Sequence, residues 1–406
     1  MGTVLFVHLR KWIARTVLAC AALVLISILL AKWLSAEPKY QGRTLSKWTH
    51  DLGQGSLQEK QKAAEAIRNL GAQGVPFLAQ ELTNPPTPMQ KAAGFAANYV
   101  PEKLKGPLRR IYDPPNETTK KLSALIALQA LGTNATGAID AVTEILQGSH
   151  AGLTSAAAQA LTEMGTNALP ALISTLDYGS YMTRASACHA LVAFHTNAAP
   201  AVPRLAQIAA DEIGPIVSVA FYALSRIGPA AVSSLAQLLN NTNSTVRSQA
   251  LYALGAIGPA AAENPETLPM VLEASDDDGA EIRWRATEAL NAIGRDSDEV
   301  LQVFVRALKD ENAMVRAAGA TSMGLRPRLA SAHLNELEEL LMDPSPEVRR
   351  QAAFAIGQSG RWGVEKLERL KELSQRETNA MVVASMNHAI VTIRDSEKIS
   401  RNAQVE

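Results

Sequence analysis

A helical run ending in Ala-Leu-x-x-Ile-Gly, or a close variant, returns along this chain every 30 to 36 residues. A period of that length confines the fold to a stack of repeated helical units. Taking the closing glycine position as a mark gives Gly71, Pro101, Gly132, Gly165, His195, Gly228, Gly258, Gly294, Pro327, Gly360 and Arg394. Five residues before the mark stands an alanine in ten of the eleven repeats, Ser322 being the exception. Eight before it a small residue recurs from Ala63 to Ala352 and is broken only by Met386; four before it the residue is large and apolar except at Ala97. Together with the Val or Ile twelve before (Ile216, Val246, Ile282, Val315, Val348, Val382), these offsets share one stripe of a 3.6-residue helix and predict its buried face. The small residues predict close approach of a partner helix, and glycine at the mark suits a left-handed C-cap.

The partner helix lies upstream in each repeat, as in Leu169-Pro-Ala-Leu and Val202-Pro-Arg-Leu, with proline in the first turn, where its missing N–H costs nothing. Between the two helices runs a polar turn with an Asp or Asn six residues ahead of an Arg: Asn241/Arg247, Asp277/Arg283, Asp310/Arg316 and Asp343/Arg349. A charged group repeated at every layer reads as a ladder tying the turns of adjacent repeats together, each exposed pair worth at most about 1 kcal/mol. Composition agrees, since apolar residues make up 47% but aromatics only 5%, a helix-forming mixture with little to build a β-sandwich.

These features resemble the HEAT repeat family, and within it the short HEAT-like repeats also found in phycobilisome lyases. The resemblance covers about residues 44–394 and implies an all-α fold, an α-solenoid of about eleven helix pairs. The segment Tyr40-Gln-Gly-Arg-Thr-Leu-Ser-Lys-Trp48 also resembles the lead-in to such arrays in some bacterial envelope proteins. Repeats two and three (Tyr99-Val-Pro101, Asp113-Pro-Pro115) and the last, with Val383 in place of Arg, depart from the pattern.

Ahead of the array, Val17 to Ala31 is an uncharged and mostly aliphatic run between Arg15 and Lys32. Counted from Trp12 to Leu34 it gives about 34 Å of helix, enough to cross a bilayer, with Trp12 and Trp33 at the interfaces. A cleaved signal peptide has the same outline, but no small-x-small site follows the run. The organisation read from the sequence is therefore a tail at 1–11, a transmembrane signal-anchor helix at 12–34, a linker at 35–43, the solenoid at 44–394 and a polar tail at 395–406. Basic residues on both flanks leave the orientation open; the short leading tail favours an extracytoplasmic, periplasmic solenoid.

No constellation points to catalysis, a cofactor or a metal. Asp276-Asp-Asp-Gly-Ala-Glu281 fails as a calcium loop because Ala274 and Arg285 fall at the first and last ligand positions. Cys188, His189 and His195 cannot converge from one helix, and Cys188 stands at a packing position seven before the mark. Zero net charge and a pI of 7.1 argue against nucleic-acid binding through bulk positive charge.

The informative offset is six before the mark, about 200° round the helix from the core stripe and so predicted to face outward. It holds four of the fourteen Phe and Tyr residues, Phe95, Tyr222, Tyr252 and Phe354, besides His189 and His388, and Trp284 lies on the same side one turn earlier. The resemblance places this helix on the concave surface. His189, Tyr222, Tyr252, Trp284 and Phe354 then become candidate contacts for a protein or peptide partner; contact between adjacent helices is the competing explanation. The reading is a membrane-tethered, non-enzymatic scaffold that grips such a partner in its groove. The resemblance also leaves an alternative, an enzyme subunit like the bilin lyases or a chaperone for a cofactor protein, but no nucleophile or acid confined to one repeat supports it.

Overall fold

The computed structural model describes residues 37–83, 115–148 and 150–402. The expected membrane helix at 12–34 and the repeat marked by Pro101, with Phe95, lie outside the described residues. The chain divides into two compact units, Met1–Ala171 and Leu172–Glu406.

The first unit opens with a two-residue hairpin, β1 (Lys39–Tyr40) and β2 (Arg43–Thr44), where the sequence predicted a plain linker. Gln41 and Gly42 both take positive φ, the requirement of a tight two-residue turn. The hairpin clamps the first helix, α1 (Leu45–Gln54). Trp48 Nε1 donates to the Tyr40 carbonyl at 3.2 Å, the Arg43 guanidinium lies 4.1 Å from the Trp48 ring, and Arg43 pairs with Asp51 at 2.6 Å.

Then follow α2 (Leu57–Leu70), α3 (Val75–Thr83), α4 (Pro115–Leu131), α5 (Ile139–Gln147) and α6 (Ala151–Glu163). Helix α4 packs on both α2 and α3. The helices that close at Gly71 and Gly132 are thus packed neighbours in this unit.

The second unit continues from α7 (Leu169–Thr175), which straddles the boundary. Its outer A helices are α9 (Val202–Asp211), α11 (Val232–Gln237), α13 (Thr267–Ala274), α15 (Asp298–Ala307), the broken pair α17 (Pro327–Ala332) and α18 (Leu334–Leu340), and α20 (Leu367–Arg376). Its B helices are α8 (Tyr181–Val192), α10 (Pro215–Ile227), α12 (Ser244–Ile257), α14 (Ala280–Ile293), α16 (Ala313–Gly324), α19 (Pro346–Gln358) and α21 (Ala380–Asn402). Neighbouring B helices pack closely along the whole row, while the A helices touch one another far less, so the B row is the inner layer of this unit. Helix α21 runs on to Asn402 through most of the stretch expected as a polar tail.

The predicted core stripe is buried throughout. Every described residue at five, eight and four before the mark is buried, from Ala63, Ala66 and Ile67 to Met386, Ala389 and Ile390. The two small positions serve different neighbours. A Cβ on Gly319, eight before the mark, would meet the Phe304 carbonyl of α15 at 3.0 Å, so this position admits the repeat's own A helix. The alanine at five before the mark instead meets the preceding B helix: a Cβ on Gly357 would lie 2.8 Å from Ala389 Cα, and one on Gly324 3.2 Å from Ala355 Cα. Backbones this close leave no room for a side chain.

The helix ends also differ from simple left-handed caps. Gly294 is left-handed (φ 72°, ψ 16°), but Gly228 and Gly258 combine positive φ with ψ of −134° and −141°, a region open only to glycine. Each of these two opens a short 3₁₀ turn that delivers the chain to the next A helix. His195 takes φ 48° at its mark without glycine's freedom. The stretches Glu117–Gln147 and Pro215–Asn240 are apolar and long enough by composition to cross a membrane. Each is two solenoid helices separated by such a turn.

The ladder expected from the turn residues is present. Arg247, Arg283, Arg316 and Arg349 each donate Nη1 to two carbonyls of their own turn, among them that of the Asp or Asn six residues back. Each also reaches the next repeat, Arg247 through Nη2 alone and the others through Nε and Nη2: Arg247 to Asp277 at 3.0 Å, Arg283 to Asp310 at 2.8 Å, Arg316 to Asp343 at 2.7 Å and Arg349 to Glu377 at 2.6 Å. Arg184 extends the series to Glu212 at 2.6 Å. Burial alone would raise the Asp310 and Asp343 carboxyls, but the guanidinium hydrogen bonds and backbone N–H groups outweigh it and hold both below 3.8. The Arg349 hydrogen bonds take Glu377 from its ordinary 4.5 to about 2.

Two expectations follow. Gly357→Leu should overpack the α19–α21 junction and cost about 1–3 kcal/mol in urea unfolding; unchanged stability would mean the helices are not in backbone contact there. Because Glu377 is depressed in the folded state, its contribution is complete above its unfolded value and is lost as pH falls toward 2. Glu377→Gln should therefore destabilise by about 1–3 kcal/mol at pH 7, with the gap to the parent protein closing between pH 4.5 and pH 2 in pH-resolved melts.

Candidate protein-binding surface

The outward row on the B helices exists as expected. The residue six before the mark is exposed or half-exposed in every described repeat, from Glu65 and Ile126 to Thr321 and His388. Burial of the opposite stripe forces this orientation, since the two lie on opposite sides of one helix.

In the second unit the five singled-out side chains fall into three groups. His189 on α8 and Tyr222 on α10 touch, their ring centroids 6.0 Å apart and inclined at 57°. Both rings remain exposed. Tyr252 on α12 is 59% exposed and Trp284 on α14 half-buried; a residue absent from the sequence expectation joins them. The Arg285 guanidinium lies 3.9 Å from the Trp284 ring centroid and 5.4 Å from that of Tyr252, in reach of cation–π attraction to both. Glu288 fixes it with a 3.0 Å ion pair, while its buried Nε has no hydrogen-bond partner among the described residues. The rings and one carboxylate hold this arginine. Its adjacency to Trp284 and its i,i+3 spacing to Glu288 were the signals that could have found it.

Phe354 belongs to neither group. Its ring is half-buried over Gly324 of the preceding B helix, where an added Cβ would come within 2.5 Å of it. At this position the competing explanation, contact between adjacent helices, describes what the ring does. Beyond the arginine lies a cleft of about 520 Å³ across α14, α16 and α19, lined by Trp284, Glu288, Met314, Thr321, Glu347 and Gln351. Its walls mix an aromatic face, a thioether and two carboxylates with amide and hydroxyl groups.

The groups with reactive or ligating side chains are occupied otherwise. Cys188 is fully buried, and burial pushes its thiol up to about 12, so it stays protonated at neutral pH and cannot act as a thiolate. Of the three consecutive aspartates, Asp277 takes Arg247 and the Gly279 N–H, and Asp276 faces Arg306 at 3.3 Å. Among the described residues no three His, Cys, Asp or Glu side chains come together in a way that could hold a metal ion.

Residues 218–291 and 301–391 match the family model for HEAT repeats. No curated protein matches the sequence. Among solved structures the chain is similar to the karyopherin Kap121p bound to the extreme C-terminus of the protein phosphatase Cdc14p, with TM-score 0.58 and 13% identity over 88% of this chain and 42% of the other. Kap121p bound to the SUMO protease Ulp1p gives TM-score 0.57 and 13% identity, over 88% and 42%. Kap121p bound to Nup53p gives 0.54 and 13%, over 86% and 45%. The chain thus spans less than half the length of these neighbours, and at such identity the likeness is one of fold.

Proposed function

From the premise that this is a HEAT-repeat protein, with residues 218–391 built of those repeats, we propose that it is a non-enzymatic scaffold that holds a protein or peptide partner along the B-helix row of its second unit. The observation that carries the proposal is the run of exposed rings and polar groups from His189 through Tyr222, Tyr252, Arg285 and Trp284 into the adjoining cleft. Exposed tyrosines and a stacked arginine on a rigid helical surface are what protein interfaces concentrate at their centres. An extended segment could lay successive side chains on successive repeats. The similar karyopherin structures, solved with a phosphatase C-terminus, a SUMO protease or Nup53p bound, support the general mode.

The reading includes a tether. The apolar run from Val17 to Ala31 with its flanking tryptophans supports a single membrane-spanning segment at 12–34, with the solenoid on the extracytoplasmic side. Phe354 is left out of the contact surface because it is committed to packing.

Replacing Tyr222, Tyr252 and Trp284 together by Ala should weaken the partner by more than about 2 kcal/mol with helix content preserved, because outward side chains add little to the core. Photo-crosslinking from position 256, exposed one turn beyond Tyr252 on the same helix, in the full chain, followed by comparison of crosslinked partners and circular dichroism in parent and triple variant, makes the measurement. Parallel losses of helicity and crosslinks would show that the row is packing; crosslinks retained in a folded triple variant would move the interface off the B row. The tether is tested separately by alkaline extraction, where the full chain should stay with the membranes.

A further inference from the structure

Helix α21 differs from the B helices before it on the flank that those helices turn to their successors. Seven before the mark stand Cys188, Phe221, Leu251, Thr287, Ala320 and Ala353, all 2% exposed or less; in α21 the position is Asn387, and it is exposed. Three before the mark, Gly324 and Gly357 admit the next helix backbone, whereas α21 has Val391, 54% exposed. Helix α21 is also 23 residues long against 13 for α19. Ala384, His388, Val391, Asp395 and Ile399, all exposed, form a single stripe along it, with steps of three or four residues.

This flank is not shaped for another B helix stacked like the others. A Cβ on Gly357 would already be 2.8 Å from the next helix's Cα, and Val391 adds three carbons at the same position. Asn387 would in addition be buried without a partner.

The stripe is complementary to itself read backwards. About the midpoint between Val391 and Thr392, His388 and Asp395 lie one turn to either side, and Ala384 and Ile399 lie two turns out. Two such helices packed antiparallel about a two-fold axis at that midpoint set His388 of each copy against Asp395 of the other, Ile399 over Ala384, and the two Val391 side chains near the axis. An imidazole N–H meets a carboxylate at both ends, and a large side chain meets a small one. Among the described residues Asp395 pairs with Lys398 at 3.8 Å, an exposed pair that competes weakly.

We propose that the exposed flank of α21 is an isologous contact between two copies of this chain. The stripe spans on the order of 20 Å of helix, short of a permanent interface, so the copies exchange between monomer and dimer at micromolar concentration.

The test uses the full chain in detergent, with Cys20→Ser to remove the second thiol. Val391→Cys should form an intermolecular disulfide on mild oxidation, because its two copies meet at the axis. Ala384→Cys alone should not, but mixed with a differently tagged Ile399→Cys chain it should crosslink to it. In sedimentation, Asp395→Lys should weaken the dimer at least tenfold, Asp395→Asn should weaken it less, and the exchange His388→Asp with Asp395→His should restore it. These residues are exposed, so melting temperature serves as the control for folding. A monomeric parent chain at 100-fold dilution steps up to about 100 µM, an Ala384→Cys homodisulfide in place of the mixed one, or an exchange that fails to restore association would each overturn the proposal.

Discussion

One guanidinium shared between two turns is the interaction on which the regularity of the second unit depends. Arg283 shows the arrangement: Nη1 closes its own turn on the Asp277 and Asp278 carbonyls, while Nε and Nη2 take the Asp310 carboxylate of the next repeat. The charge is mostly shielded from water, with side-chain exposures of 12% and 13% for Arg283 and Asp310, and all of its directions are used. A planar donor fork suits this double duty, and a lysine could not perform it. Each rung fixes the spacing between turns, and that spacing permits the backbone contacts at Gly324 and Gly357 to be as close as they are.

The sequence made the fold legible where one side chain repeats one task. The alanines at five before the mark, the aliphatic residues at four and the Arg/Asp pairs are each read from periodicity, because identical surroundings demand identical residues at every layer. The pattern carried less where a position faces two neighbours in turn. It showed that Ala289 and Ala389 must be small, yet not that they serve the preceding B helix, while Gly319 serves its own A helix. The hairpin at 39–44 escaped because two-residue strands leave almost no alternation to see.

The surface was legible in outline. Outward orientation follows from helical geometry alone, and His189, Tyr222 and Tyr252 are where that geometry puts them. What those side chains do next depends on distances between repeats that no offset contains. Arg285 could be recognised only once Tyr252 and Trp284 were seen to flank it, and Phe354 was withdrawn by a glycine thirty residues upstream, Gly324, that leaves a hollow for its ring. The aromatic scarcity that drew attention to this row remains its best signal: a chain so poor in rings leaves two tyrosines half in water on adjacent layers.

The ladder also has a direction. Every arginine in it finds its carboxylate 27 to 30 residues later in the chain, never earlier. During synthesis a guanidinium therefore waits, bonded only to its own turn, until the ribosome has delivered the following layer. Growth by such short-range steps involves little loop closure and lets each finished layer template the one after it, so the chain can fold from its N-terminal end at the pace at which it is made.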